Sequence, residues 1–176
     1  MPGNVVAVSS GKGGVGKTSL TVNFAVALAG NGKKVLVCDA DLGLANVDIT
    51  LGLKPQYDLQ HVLSGERTLD EIVIEGPQGV GVIPAASGIA RMLELSAAER
   101  LEMGLAFTAL SERYDLVLLD TAAGIGQDVI SFLSGANHVI VVVCDEPTSL
   151  TDAYALIKVS ASERKVRRFQ IVANKV

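Results

Sequence analysis

Gly11-Lys12-Gly13-Gly14-Val15-Gly16-Lys17-Thr18 is rich in glycine, ends in a lysine and a threonine, and carries a second lysine directly after its first glycine. It satisfies the spacing G-x-x-x-x-G-K-[ST]; the apolar run Val5-Val6-Ala7-Val8 precedes it and a helical pattern from Ser19 to Ala29 follows. In such a strand–loop–helix unit, glycines let backbone N–H groups converge on an anion, and the helix N-terminus adds favourable partial charge. Lys17 has the length to reach β- and γ-phosphates, and the Thr18 hydroxyl suits Mg²⁺. Gly11 through Ser19 therefore imply a nucleoside-triphosphate site.

Three further segments fall at the ends of apolar runs, the ligand side of open α/β sheets. Asp39-Ala40-Asp41 places two carboxylates two residues apart in extended chain, so both are expected to point the same way. They suit water on Mg²⁺ or an attacking water; a solvated acidic turn running on to Asp48 is the plainer alternative. Asp120 ends the run Leu116-Val117-Leu118-Leu119, a Walker B signature, because a carboxylate there is costly unless it faces metal or water. Gly124, shortly after it, could bring an N–H close to a γ-phosphate. Asp145 to Ala153 reads equally as a capped helix start or as a partner-facing helix. Asn174 could meet an adenine edge, although an asparagine at a strand end is more often a turn residue.

The elements that must position these groups are legible as alternating patterns. Strands are expected near Val5–Ser9, Lys34–Asp39, Val80–Pro84, Leu116–Asp120, Val139–Cys144 and Phe169–Ala173. Helices are expected at Lys17–Ala29, Ser96–Arg113, Asp128–Ser134 and Ser149–Ser160, with two short ones within Tyr57–Ile74. Ser96 with Glu99, and Ser149 with Asp152, fit capping boxes, and Gly30 and Gly32 stop the first helix. Such alternation implies an α/β domain, a mostly parallel sheet flanked by helices on both faces. No repeat or linker divides the chain. Its end at Val176, directly after an apolar strand, predicts further strands and helices beyond, so residues 1–176 are expected to be one incomplete domain.

Composition narrows the classes. The 176 residues are 49% apolar and 4% aromatic, with a net charge of -4 that disfavours a nucleic-acid surface. Cys38 and Cys144 lie far apart inside apolar runs and read as reduced core residues of a soluble cytoplasmic protein. His61 and His138 have no ligand pattern around them, and Arg164, Lys165, Arg167 and Arg168 read as a solvated loop.

Lys12 together with Lys17 resembles the deviant Walker A loop of the MinD/ParA ATPases. In combination, residues 39–48, Pro84-Ala85-Ala86-Ser87-Gly88, Asp120–Ile125 and Cys144–Ser149 are similar to the members that regulate flagellar number, and the similarity spans essentially the whole chain. The resemblance implies ATP/ADP and Mg²⁺ as cofactors, slow partner-regulated hydrolysis and an ATP-dependent homodimer. Lys12 would reach the partner's phosphates, Lys17 and Thr18 would bind phosphate and Mg²⁺, and Asp41 would position the water. Asp39 and Asp120 would support Mg²⁺, Gly124 would sense the γ-phosphate, and Asn174 would contact adenine. Asp152 falls on the family's partner-binding helix.

Expected partners are flagellar proteins, a transcriptional regulator or an SRP-type GTPase, and no nucleic acid. The family's membrane-targeting helix and its GTPase-stimulating N-terminal segment are not found among these residues, so neither activity is expected of this chain; the full-length protein could still sit at the inner face of the cell membrane. Within the same superfamily, a DNA-partitioning ATPase would need a basic surface and an iron–sulfur carrier would need paired cysteines. A module that holds nucleotide without turnover is the competitor from another class, and Asp39 with Asp41 argues against it.

Overall fold

Along β1 (Asn4–Ser10), Val5 and Ala7 face one side and Val6 and Val8 the other, and all four are buried. A strand apolar on both faces must be covered on both. The computed structural model describes residues 4–41, 46–85, 96–163, 166 and 168–175. After β1 come α1 (Lys17–Gly30), β2 (Val35–Ala40), α2 (Val47–Thr50), α3 (Leu59–Leu63), β3 (Ile74–Glu75) and β4 (Gly81–Ile83). Then follow α4 (Ala97–Ser111), β5 (Leu116–Ala123), α5 (Gln127–Gly135), β6 (His138–Val143), α6 (Pro147–Glu163) and β7 (Phe169–Ala173).

The strand order is β3-β4-β2-β5-β1-β6-β7. All pairs are parallel except β3 against β4. On one face, Val22 and Ala25 of α1 pack with Val6, Val35, Val37, Val82 and Leu118. The opposite face joins Val5, Ala7, Leu36, Ile83 and Leu119 to Ile130 and Leu133 of α5, Leu156 of α6 and Leu110 of α4. The two sets alternate along each strand, as a pleat requires. The expected α/β architecture is therefore present.

Helix ends follow the residues. Beyond Gly30, the Gly32 N–H bonds Ala29 O at 2.9 Å and the Lys33 N–H bonds Leu28 O at 3.1 Å, a Schellman stop. Ser96 and Glu99 form the expected capping box. Two expectations need correction. Tyr57–Ile74 holds one helix, α3, rather than two, because Ser64-Gly65 leads into hydrogen-bonded turns. Ser149 is not a cap: α6 starts two residues earlier at Pro147, whose fixed φ suits a first turn, and the Ser149 hydroxyl accepts from the Cys144 N–H at 3.1 Å. The short α2 and β3 were not foreseen, being too short to carry a period.

Leu42–Ala45, Ala86–Gly88, Arg164, Lys165 and Arg167, named in the sequence reading, lie outside the described residues. Among the described residues no helix is long and apolar enough to cross a membrane.

Candidate functional site

Because β5 lies between β1 and β2, the C-terminal ends of these three strands stand side by side. The glycine loop leaves β1. Asp120 lies in β5 and Asp39 in β2, directly opposite each other in register. Leu118 packs under α1, so Asp120, two residues on, faces the same helix.

The Asp120 carboxylate accepts from Thr18 Oγ1 at 2.5 Å and Lys17 Nζ at 3.3 Å, and Thr21 Oγ1 lies 3.3 Å away. Lys17 and Asp120 are both buried, which is tolerable only because each has the other. Sequence reasoning missed Thr21. Its only signal is helical spacing, one turn on from Lys17 and Thr18.

The loop itself is shaped by Gly14 and Gly16, whose φ of +79° and +90° lie in the left-handed region. Ser10 Oγ holds Lys12 O at 2.8 Å. At the end of β7, Asn174 Nδ2 donates to Val15 O at 2.8 Å and Lys175 Nζ to Gly14 O at 2.7 Å. Gly11 runs so close to α6 that a Cβ there would overlap the backbone of Asp152 and Ala153. Ser19 faces solvent from α1.

Several of the expected site groups have partners within the chain. Asp39 accepts three backbone amides. Its Oδ1 accepts the Asp41 N–H at 3.1 Å, and its Oδ2 accepts the Asn46 and Val47 N–H groups at 2.8 and 3.0 Å. It thus ties the end of β2 to the start of α2, while Asp41 sits just beyond the strand. Burial pushes the Asp39 carboxyl up from its ordinary pKa; the Val47, Asp41 and Asn46 amides pull it down in part, and nearby Asp120 pushes it up again. The Gly124 N–H is bonded to Ser10 O at 2.9 Å and must leave it to meet a phosphate.

Lys12 is tied to its own chain. Its ammonium pairs with Glu146 and lies 3.4 Å from Thr148 Oγ1. That hydrogen bond raises the Lys12 pKa and lowers that of Glu146. Glu146 and Thr148 lie in the flagged segment 145–153, but their pairing with Lys12, like the bond of Lys175 to Gly14, carried no signal in the sequence, because the partners are over a hundred residues away.

The donor set fits a small hard cation. Thr18 and Asp120 put two oxygens side by side, and Mg²⁺ usually takes one or two such ligands and completes its shell with water and phosphate. Among the described residues no group of three or more His, Cys, Asp or Glu could hold a metal unaided. A hydrogen-bonded loop before a helix, a lysine on the β5 carboxylate and this strand order define a phosphate-loop nucleotide fold.

Comparison with known proteins agrees. A family described as an AAA domain matches residues 3–171. The antiactivator FleN of Pseudomonas aeruginosa is 50% identical over 98% of this chain and 62% of its own length. The flagellum site-determining protein YlxH of Helicobacter pylori is 40% identical over 97% and 58%. Among solved structures, the cell division ATPase MinD of Pyrococcus furiosus superposes with a TM-score of 0.81 at 30% identity, over 97% of this chain and 71% of that one. MinD of Pyrococcus horikoshii complexed with Mg-ADP gives 0.79 at 28%, over 94% and 67%. The chain belongs to the MinD/ParA family of P-loop ATPases. It spans about 60% of the length of these two curated relatives, 62% and 58%.

Proposed function

We propose that residues 1–176 are the single ATP-binding domain of a Mg²⁺-dependent switch ATPase that dimerises on ATP and regulates flagellar number or placement through protein partners. The observation that carries this reading is the buried junction of Lys17, Thr18 and Asp120 at the mouth of a glycine loop. Lys17 turns from Asp120 toward the β- and γ-phosphates, and the loop amides hold the phosphate oxygens. When bound, Mg²⁺ neutralises phosphate charge; Thr18 and Asp120 hold it, and Asp39 supports them by fixing the loop that carries Asp41. Asp41 orients the attacking water. Such positioning and charge stabilisation account for most of the catalysis in phosphoryl transfer.

Gly124 exchanges Ser10 O for the γ-phosphate, and Lys12 leaves Glu146 for the phosphates of the second subunit. Asn174 reaches the adenine side. The flagellar assignment rests on YlxH, whose name carries that role, together with FleN. The partners are flagellar proteins, a transcriptional regulator or an SRP-type GTPase.

The test is calorimetric titration of the full-length protein with Mg-ATP. Lys17→Ala should lose binding by at least about a hundredfold, and Lys17→Arg, which keeps a charge for Asp120 but not the fit, should also bind poorly. Unchanged affinity in either variant removes the phosphate-loop assignment. A pull-down should capture a flagellar partner in ATP and not in ADP; equal capture removes the switch.

A further inference from the structure

Lys17 and Thr21 address the same oxygen. Lys17 Nζ and Thr21 Oγ1 each lie 3.3 Å from Asp120 Oδ1, while Thr18 Oγ1 holds Oδ2. At that length neither donor saturates Oδ1. Both come from one face of α1, with Thr21 one turn beyond Lys17. Lys17, Thr21 and Asp120 are all buried, Thr21 completely. A carboxylate oxygen placed there cannot turn to bulk water when a partner leaves it.

The Thr21 hydroxyl has one hydrogen and two acceptors within reach. Lys17 O lies at 3.0 Å and Asp120 Oδ1 at 3.3 Å, so in this state the nearer carbonyl takes the hydrogen and Lys17 serves the carboxylate. The carbonyl does not depend on that bond, because the helix already supplies Lys17 O with the Thr21 N–H. Rotation about the Cβ–Oγ1 bond is enough to turn the hydrogen to Oδ1.

From this geometry we infer that Thr21 is a positioning residue for Asp120: its hydroxyl takes over Oδ1 when Lys17 turns to the phosphates, and so keeps Oδ2 aimed at Thr18. The inference rests on the nucleotide reading above and adds to it how a buried acid survives the loss of its lysine. Without the exchange, the departure of Lys17 would leave one oxygen of a charged group bare in the core, and that cost would be subtracted from nucleotide affinity. With it, a neutral hydrogen bond replaces the ion pair. The carboxylate then keeps its negative charge on the side where Thr18 and Asp120 offer oxygens to a hard cation.

The experiment uses the full-length protein and Mg-ADP as the probe. Thr21→Val keeps the branched shape and removes the donor; Thr21→Ser keeps the donor and removes a methyl. Without nucleotide Lys17 still serves Oδ1, so Thr21→Val should leave the urea midpoint near that of the parent. Calorimetry should find Mg-ADP bound about tenfold more weakly by Thr21→Val, with most of the affinity recovered in Thr21→Ser. Parental affinity in Thr21→Val overturns the inference, as does a loss that serine does not restore. So does a fall in nucleotide-free stability as large as the tenfold loss of binding, about 1.4 kcal/mol, which would make Thr21 a packing residue only. If the parent protein binds no Mg-ADP, the nucleotide reading fails, and a second background decides the exchange. In Lys17→Met the lysine is already gone from Oδ1, so adding Thr21→Val should lower the urea midpoint by more than it does in the parent; an equal effect removes the exchange.

Discussion

A carboxylate inside a protein is defined by what occupies its oxygens. Asp120 spends its own on the lysine and threonine of α1, whereas Asp39, directly opposite, spends its own on three backbone amides. Asp39→Ala would leave those amides without their acceptor, at a cost of roughly 1–3 kcal/mol at neutral pH, readable by urea unfolding. The pH dependence has a defined sign. The folded-state pKa of Asp39 is raised, so the native chain holds this proton more tightly than the unfolded one. Parent stability therefore falls as pH rises from the unfolded value, near 3.8, through the raised one. The variant lacks that fall, so the gap between the two proteins should narrow over this window, and a gap that widens contradicts the assignment.

At the scale of elements, the tight junction is between the phosphate loop and α6. Gly11→Ala would drive a methyl into the backbone of Asp152 and Ala153, forcing the helix away at about 1–3 kcal/mol. Gly13→Ala, two residues on, meets nothing within 4 Å and should unfold like the parent in a thermal melt. Equal loss in both would mean that the loop, and not the helix contact, is what glycine protects.

The strands were legible because, buried on both faces, they read as continuous apolar runs such as Val5 to Val8, and the long helices because they fill the stretches between those runs. So was Lys17, because the spacing of the glycine loop identifies it without any distant partner. The Asn174 bond to Val15 and the Lys12 bond to Glu146 were not legible, because they join ends of the chain that only the β6–β7 and β1–β6 pairings bring together. The three amides that Asp39 accepts were not legible either, because they depend on how the chain turns after β2 stops at Ala40.

For the whole molecule, the exposed pairing of Lys12 with Glu146 sets a choice between one chain and two. Lys12→Ala should leave nucleotide binding by the monomer intact and weaken ATP-dependent dimerisation by about tenfold or more, measured by light scattering. Dimerisation at the parental level would show that Lys12 does not cross to the second subunit.

The seating of β5 between β1 and β2 also dictates when this site can come into being. A nascent polypeptide that has emerged only as far as Ser111 already carries the glycine loop and Asp39, yet it lacks the strand that must slot between their supports. Until residues 116–123 leave the ribosome, β1 and β2 have no common neighbour, and Lys17 has no Asp120 to neutralise it. Nucleotide can therefore assist folding only once that strand has threaded into place.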